Sequence, residues 1–132
     1  MKEKGQVDRI MLHISERYGC EPEHLWAKFP SYAVFRHPAS QKWYALIASI
    51  SRNKLGLSGD SEENIINIKC SPLMIGSLLT EQGFLPAYHM NKGHWIAALL
   101  DDSVPDETIY SLLELGHDSV APTRKKKMIS HE

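Results

Sequence analysis

The chain has 132 residues, which suits one domain that buries about two-thirds of its unfolded surface without disulfides or metals. Its hydrophobic content of 42% and charged content of 23% are typical of a soluble globular protein. The net charge of −1 at pH 7 excludes a global attraction to nucleic acid, so such binding would require a local basic patch.

The two cysteines, Cys20 and Cys70, stand far apart in the chain. They make no disulfide framework, and neither has the close Cys neighbour of a zinc knuckle, so we expect reduced packing residues. No apolar segment of a signal peptide follows the charged amino terminus, and no apolar run approaches the roughly 20 residues of a membrane span. We therefore expect a cytoplasmic protein with no membrane partner, as a monomer or small homo-oligomer.

The first half of the chain predicts one helix and three strands. Apolar residues recur at helical spacing before Gly19, which is placed to end this helix. Aromatic and β-branched residues at 32–36 and 43–50 predict a hairpin, whose second strand is expected to be covered on both faces. The polar segment 52–63 predicts the longest and most mobile loop, and residues 65–69 predict a third strand.

The second half predicts two helices around a further hairpin. Ser71 and Pro72 are typical of a helix start, with a hydroxyl cap and a proline at the first position, and Gly83 is expected to end this helix. Ser103 and Asp106 resemble the capping arrangement of a last helix. The buried stripes are expected to be Leu73, Ile75, Leu78 and Leu79 in one helix, and Ile109, Leu112 and Leu113 in the other.

This order of elements predicts an α+β fold. Hairpin-linked strands, with helices between and after them, favour a two-layer structure with an antiparallel sheet and the helices packed on one side. We expect a single domain over residues 1–121. Residues 122–132 include Arg124 and the lysines at 125–127, and we expect them to form a basic, disordered tail.

Residues 88–95 concentrate aromatic, imidazole, amide and cationic side chains in one short segment. Apolar residues precede and follow it, which predicts two antiparallel strands joined by a tight turn at residues 91–93. Gly93 is expected to take the positive φ that closes this turn, and Asn91 tolerates it as well. We therefore expect the ligand surface to centre on this segment.

Five short motifs occur in order between residues 26 and 95. They are Trp26-x-Lys28-x-Pro30, Trp43-Tyr44-Ala45, Lys54-Leu55-Gly56-Leu57, Ile68-Lys69-Cys70-Ser71-Pro72 and Tyr88-His89-Met90-Asn91-Lys92-x-His94-Trp95. Together they resemble the MmcQ/YjbR family of small bacterial proteins, and the last motif is the specific one. The family more often has an acidic residue before the proline of the fourth motif. Here Ser71 stands there, and its hydroxyl can still cap the helix.

The resemblance implies an α-β-β-β-α-β-β-α fold similar to type III secretion chaperones. It also implies DNA binding through a double wing of hairpins, with lysine and arginine on phosphates and amide or imidazole groups on base edges. The candidate nucleic-acid-binding residues are Lys42, Arg52, Lys54, Lys69, His89, Asn91, Lys92 and His94, and the candidate stacking or pocket residues are Trp43, Tyr88 and Trp95.

Other readings of these residues stay open. Tryptophans in apolar strands more often belong to a core, and Trp26, Lys28 and Pro30 are expected to form a corner that braces the sheet, with Lys28 exposed. A small sheet with one partly exposed face also suits a protein or peptide partner, as in a chaperone-like module.

Metal binding and catalysis find little support in the sequence. His89 and His94 flank the turn, but two imidazoles without a third ligand make a poor zinc site, so we expect neither a metal nor a cofactor. No nucleophile elbow, phosphate-binding loop or Cys–His pair in a recognisable context is present. We therefore expect a binding protein and no enzyme.

Overall fold

The computed structural model describes residues 5–122. In this range the helices are α1 (Gln6–Tyr18), α2 (Pro72–Leu78) and α3 (Asp106–Ser119), and the strands are β1 (Ala33–Arg36), β2 (Trp43–Ser51), β3 (Glu62–Lys69), β4 (Phe84–Pro86) and β5 (Trp95–Leu99). The basic tail expected at the carboxyl end lies outside the described residues from position 123 onward.

The five strands form one antiparallel sheet in the order β1-β2-β3-β5-β4. The first three strands are joined by hairpins. After β3 the chain passes through α2 to the edge strand β4, and β5 then returns between β4 and β3. The helices pack on one side of this sheet, so the predicted two-layer α+β fold is confirmed.

The main core lies between the helices and one face of the sheet, called here the helix face. Fully buried aliphatic side chains from both layers meet there, including Ile10 of α1, Ile109 of α3 and Ile66 of β3. Each such side chain contributes roughly 1.5–3 kcal/mol of transfer free energy, so this layer supplies most of the hydrophobic stabilisation. Cys20 and Cys70 are free and buried, as expected.

The other side of the sheet, called here the open face, carries a second and smaller apolar cluster. Ala48, Ile50, Ile65 and Ala97 form it, and the partly buried side chains against it come from strands, loops and the 3-10 turn after β2, and from none of the helices α1, α2 and α3. Successive side chains of a strand point to opposite faces of the sheet, so β2, β3 and β5 contribute residues to both clusters. Strand β2 is buried at most positions on both sides, as its sequence predicted.

The buried stripe predicted for α2 is wrong at two of its four positions. Ile75 is buried, but Leu73 is 92% exposed and Leu79 is 40% exposed. The helix has seven residues, about two turns, and only a narrow side of so short a helix reaches the sheet. Gly83 does not end this helix; it lies in the turn before β4 with φ of +90°, where a Cβ atom would approach the Val104 side chain to 2.5 Å.

The predicted side-chain caps are also wrong. Ser71 precedes α2 but makes no capping hydrogen bond. The residue before α3 is Pro105, and the Ser103 hydroxyl donates to Asp101 instead, at 2.6 Å. Asp106 accepts hydrogen bonds from Arg9 and Gln6 of α1, so its carboxylate joins the two long helices.

The segment between β2 and β3 is more regular than expected. Arg52–Leu55 forms a 3-10 turn, and β3 begins at Glu62. The predicted loop of residues 52–63 therefore shrinks to a shorter connection.

Candidate functional site

The connection between β4 and β5 is longer than the predicted tight turn. It runs through residues 87–94, called here the β4–β5 loop. The positive φ falls at His89, at +60°, and neither Gly93 nor Asn91 has one. The Asn91 side chain instead accepts a hydrogen bond from the Gly93 N–H at 2.8 Å, which forms a local side-chain turn.

Asn67 holds this loop against the open face. Its side chain is fully buried in the middle of β3, donates to the Tyr88 carbonyl at 3.0 Å and accepts from the Tyr88 N–H at 3.2 Å. Both backbone polar groups of Tyr88 are therefore satisfied by one amide from the sheet. Since a buried amide without partners would cost free energy, this pair of bonds specifies where the loop crosses the sheet.

The residue after this attachment has an unusual backbone conformation. His89 lies in the left-handed region, which costs a non-glycine residue roughly 1 kcal/mol or more, and its ring stacks on Tyr88 with centroids 4.0 Å apart. The His89 side chain is exposed. Local strain that presents an exposed imidazole is typical of binding sites.

A cavity lined mostly by aromatic rings lies on the open face, called here the aromatic cavity. Its volume is about 240 Å³, and its walls come from the segment before β1, from β2 and from the β4–β5 loop. The residues that line it are Trp26, Phe29, Tyr32, Trp43, Leu46, His89 and Met90. Burial raises the pKa of Tyr32 above its usual value of 10.0.

A second cavity, called here the polar cavity, adjoins the first. It measures about 390 Å³ and shares Phe29, Tyr32 and His89 with the aromatic cavity. Its other lining residues include Lys28, Ser31, Ser49, Ser51, Lys54, Glu62 and Tyr88. The two adjoining cavities are together called here the open-face groove, and the larger one falls in the range of roughly 300–1,000 Å³ typical of ligand pockets.

Arginines and lysines of the described chain differ in their partners. Every arginine from position 5 to 122 forms an ion pair with a carboxylate: Arg9 with Asp102 and Asp106, Arg17 with Glu114, Arg36 with Glu23, and Arg52 with Glu63. The lysines of the same range, Lys28, Lys42, Lys54, Lys69 and Lys92, form no ion pair with any described residue. The charges of Lys28, Lys42, Lys54 and Lys92 are therefore available to an anion, whereas the Lys69 ammonium lies over the Trp95 ring.

The structure brings together some of the predicted site residues. Trp43, Tyr88 and His89 line the groove, and so does Lys54. Asn91, Lys92 and His94 are exposed in the β4–β5 loop, and Lys42 is exposed directly before Trp43.

Three other predicted site residues already have partners inside the protein. Arg52 binds Glu63 at 2.5 Å and donates to the Ser58 carbonyl at 2.7 Å. Trp95 is only 7% exposed, so it offers no free stacking face, and the Lys69 ammonium lies 5.6 Å from its ring centroid. These residues support the ends of the sheet.

The groove also includes residues that the sequence did not single out as a binding site. Phe29, Tyr32 and Trp26 were not proposed as ligand contacts, and Lys28 was expected only to be exposed. Trp26 does brace the sheet, because its ring meets Trp43 edge-on at 5.8 Å. The available signal was the concentration of aromatic residues in an irregular, proline-containing segment, where a purely structural core is rarely built.

Neither a metal site nor a membrane span is found among the described residues. Residues 5–122 contain no cluster of three or more His, Cys, Asp or Glu side chains suited to a metal ion. Within the same range, no helix combines the length and apolar character needed to cross a bilayer.

A family model and one curated relative match most of this chain, and a second relative matches about half of it. The YjbR family model matches residues 15–119. YyaQ of Bacillus subtilis strain 168 is 43% identical over 105 residues, which cover 80% of this chain and 89% of YyaQ. YjbR of Escherichia coli K12 is 33% identical over 69 residues, which cover 48% of this chain and 58% of that protein.

Solved structures show the same fold. A crystal structure of a Pseudomonas syringae protein has a TM-score of 0.84 at 40% identity, covering 86% of this chain and 97% of that one. Deinococcus radiodurans DR2400 has a TM-score of 0.64 at 23% identity, covering 86% and 76%, and this likeness concerns the fold alone. With a family model matching residues 15–119 and a relative such as YyaQ, the chain belongs to the YjbR family.

Proposed function

We propose that this protein binds DNA without catalysing a reaction, and that the open-face groove is the contact surface. The observation that carries the proposal is the contrast between ion-paired arginines and unpaired lysines. Lys28 and Lys54 line the groove, while Lys42 and Lys92 lie in exposed segments next to its lining residues Trp43 and Met90. Unpaired cations beside a groove are what phosphate contacts require.

The distribution of charge on the helices also favours the open-face groove as the DNA contact surface. Helices α1 and α3 together carry six carboxylates and only two arginines, both of them ion-paired. A polyanion is therefore repelled by the helical layer and attracted to the lysines beside the sheet. Outside these two helices, residues 5–122 carry seven lysines and arginines against eight carboxylates, so the positive charge is local to the lysines beside the groove.

The proposed roles follow from position. Lys28, Lys54, Lys42 and Lys92 contact phosphates, and His89, Asn91 and His94 donate or accept directional hydrogen bonds. Arg52 and Lys69 have a supporting role, because each already has an internal partner. Tyr88 shapes the groove wall, since Asn67 fixes its backbone.

Binding of a labelled DNA fragment, followed by fluorescence anisotropy at several salt concentrations, tests the proposal. We expect affinity to fall steeply between about 50 and 200 mM salt, because phosphate contacts release counterions. The double variant Lys28→Gln, Lys54→Gln should weaken binding and reduce the slope of log affinity against log salt by about 2, one unit for each lost contact.

A matched control removes a cation from the other layer. Arg17→Gln takes away a charge that is paired with Glu114 on the helices, so DNA affinity should not change. If the unsubstituted protein shows no DNA binding at low salt, the proposal is wrong. The same conclusion follows if Arg17→Gln weakens binding as much as the loss of one groove lysine.

A protein or peptide partner is the second candidate function, and a different surface favours it. Leu73 is 92% exposed and Leu115 is 52% exposed; Leu115 and Met74, the neighbour of Leu73, line a small apolar cavity of about 180 Å³ between α2 and α3. Association through these side chains would tolerate salt, unlike DNA binding. A Leu73→Ser, Leu115→Ser variant that loses a copurifying polypeptide while keeping its DNA affinity would support this candidate beside the first.

A further inference from the structure

The rings around the aromatic cavity form a connected array. Phe29 stacks on Tyr32 with centroids 4.9 Å apart and planes at 23°, and Trp26 meets Tyr32 edge-on at 5.7 Å. Phe29 is nevertheless 48% exposed. Because stacking covers only one face of a ring, this exposure leaves the other face of Phe29 available for a further planar group.

The shape of the site selects how a planar group can enter. The rings lie in a concavity of about 240 Å³ between the segment before β1 and the β4–β5 loop, and they do not project from a convex tip. In a duplex both faces of each base are covered by neighbouring bases. Only an unpaired base that has left its stack can place a ring face inside such a cavity.

The charges beside the cavity select an anionic ligand. Lys28 and Lys54 line the adjoining polar cavity, which shares Phe29, Tyr32 and His89 with the aromatic one. Glu62 also lines it and accepts a hydrogen bond from the Ser49 hydroxyl at 2.9 Å, and the two lysines exceed this single carboxylate by one positive charge. An aromatic peptide side chain would match the rings, whereas a nucleotide matches the rings and the cations together.

We infer that the aromatic cavity binds an unpaired base of a single-stranded nucleic acid, stacked on the exposed face of Phe29 and flanked by Trp26 and Trp43. The adjoining lysines hold the phosphates on either side of this base. The inference rests on the proposed function and narrows it, because it assigns the groove to single strands and leaves no stacking role for Trp95.

The test compares a labelled oligothymidylate with a duplex of the same length, on the unsubstituted protein and on Phe29→Ala. The half-exposed Phe29 side chain can be removed with little effect on folding. We expect single strands to bind more tightly than duplex, and Phe29→Ala to lower single-strand affinity about 10-fold with an unchanged salt slope, since stacking carries no charge. Leu115→Ala is the matched control, as it removes a similarly exposed apolar side chain from α3.

Tryptophan fluorescence provides a second readout. Oligothymidylate should quench the emission of Trp26 and Trp43, which line the cavity, while the buried Trp95 keeps its emission. In Trp43→Phe the quenched fraction should fall, with the remaining quenching assigned to Trp26.

The possible outcomes separate this inference from the proposed function. Equal affinity for duplex and single strands, with no effect of Phe29→Ala, overturns the stacking site and leaves DNA binding intact. Absence of binding to both forms overturns both proposals. If thymidine monophosphate displaces the oligonucleotide at a similar concentration, the cavity is a site for free nucleotides and the single-strand assignment is wrong.

Discussion

The two faces of the sheet are closed in different ways. On the helix face, α1 and α3 bury aliphatic side chains such as Ile66 and Ile109 completely. On the open face, irregular segments cross the strands and leave the groove between them. A helix presents a continuous apolar stripe that fits a sheet, whereas loops present aromatic and polar side chains at varied angles. The first face therefore stabilises the fold, and the second is available to a ligand.

The largest expected effect is a difference in stability between two phenylalanine-to-alanine variants, one on the helix face and one on the open face. Phe35→Ala removes a fully buried ring from the helix face and should lower the free energy of unfolding by about 3–5 kcal/mol. Phe29→Ala removes a half-exposed ring from the groove and should cost less than about 1 kcal/mol. Urea unfolding of both variants measures the difference. Equal losses would mean that the groove rings belong to the core.

The attachment of the β4–β5 loop should have an intermediate effect. Asn67→Ala leaves the N–H and the carbonyl of Tyr88 without their partners, which should cost about 1–3 kcal/mol of unfolding free energy. The amide of Tyr88 should then exchange its hydrogen faster. Asn64→Ala, on the same strand with an exposed side chain, is the control and should change stability by less than about 0.5 kcal/mol.

The proposed DNA binding should respond to the same substitution. If Asn67→Ala shifts the loop, His89 and Tyr88 leave their positions in the groove and affinity should fall, while Asn64→Ala binds normally. Unchanged exchange and unchanged affinity in Asn67→Ala would show that the loop keeps its place without this amide.

The smallest effect expected is a pH dependence that belongs to the helix face. The ring of His117 packs on Tyr18 at 4.3 Å, His37 at 4.5 Å and Tyr44 at 5.0 Å between centroids. Burial lowers the pKa of His117 below its usual 6.5; nearby His37 lowers it further, and Asp118 and Glu114 oppose the shift. Burial also lowers the pKa of His13.

The direction in which stability changes with pH follows from proton linkage. The unfolded chain binds these protons more tightly than the folded protein, so stability is full above pH 6.5 and falls as the pH decreases toward the folded-state pKa. Thermal unfolding between about pH 8 and 5 measures this slope, and this window avoids the more acidic range in which Asp106 titrates. The slope of stability against pH should become smaller in His117→Gln and stay the same in the control His24→Gln. An unchanged slope in His117→Gln would mean that other groups cause it.

Much of the fold could be predicted because it depends on local patterns. Alternating and helical spacing of apolar residues placed the elements from α1 to α3 in their correct order. The predictions failed where they depended on the length of a helix or on the side chain that caps it. The α2 stripe failed because a helix of two turns cannot bury leucines all round it. The Ser103 cap failed because Asp101, two residues earlier, accepts its hydroxyl hydrogen bond.

The candidate site was predicted only in part. Residues 88–95 were recognised from their composition, and Tyr88 and His89 do line the groove. The contribution of Phe29 was not recognised, because the sequence does not show whether a phenylalanine is buried or half-exposed. The pairing of Arg52 with Glu63 could not be read from residue types, since a free and a paired arginine look the same in the chain.

The sequence alone determined the elements, their order and the family motifs, because these depend on residues that are neighbours along the chain. The tertiary structure decided which cations stay unpaired and where the groove lies. The reason is that both depend on contacts between distant segments, such as Asn67 with Tyr88 and Trp26 with Trp43. Folding alone brings those pairs together, and the open-face groove exists only once they have met.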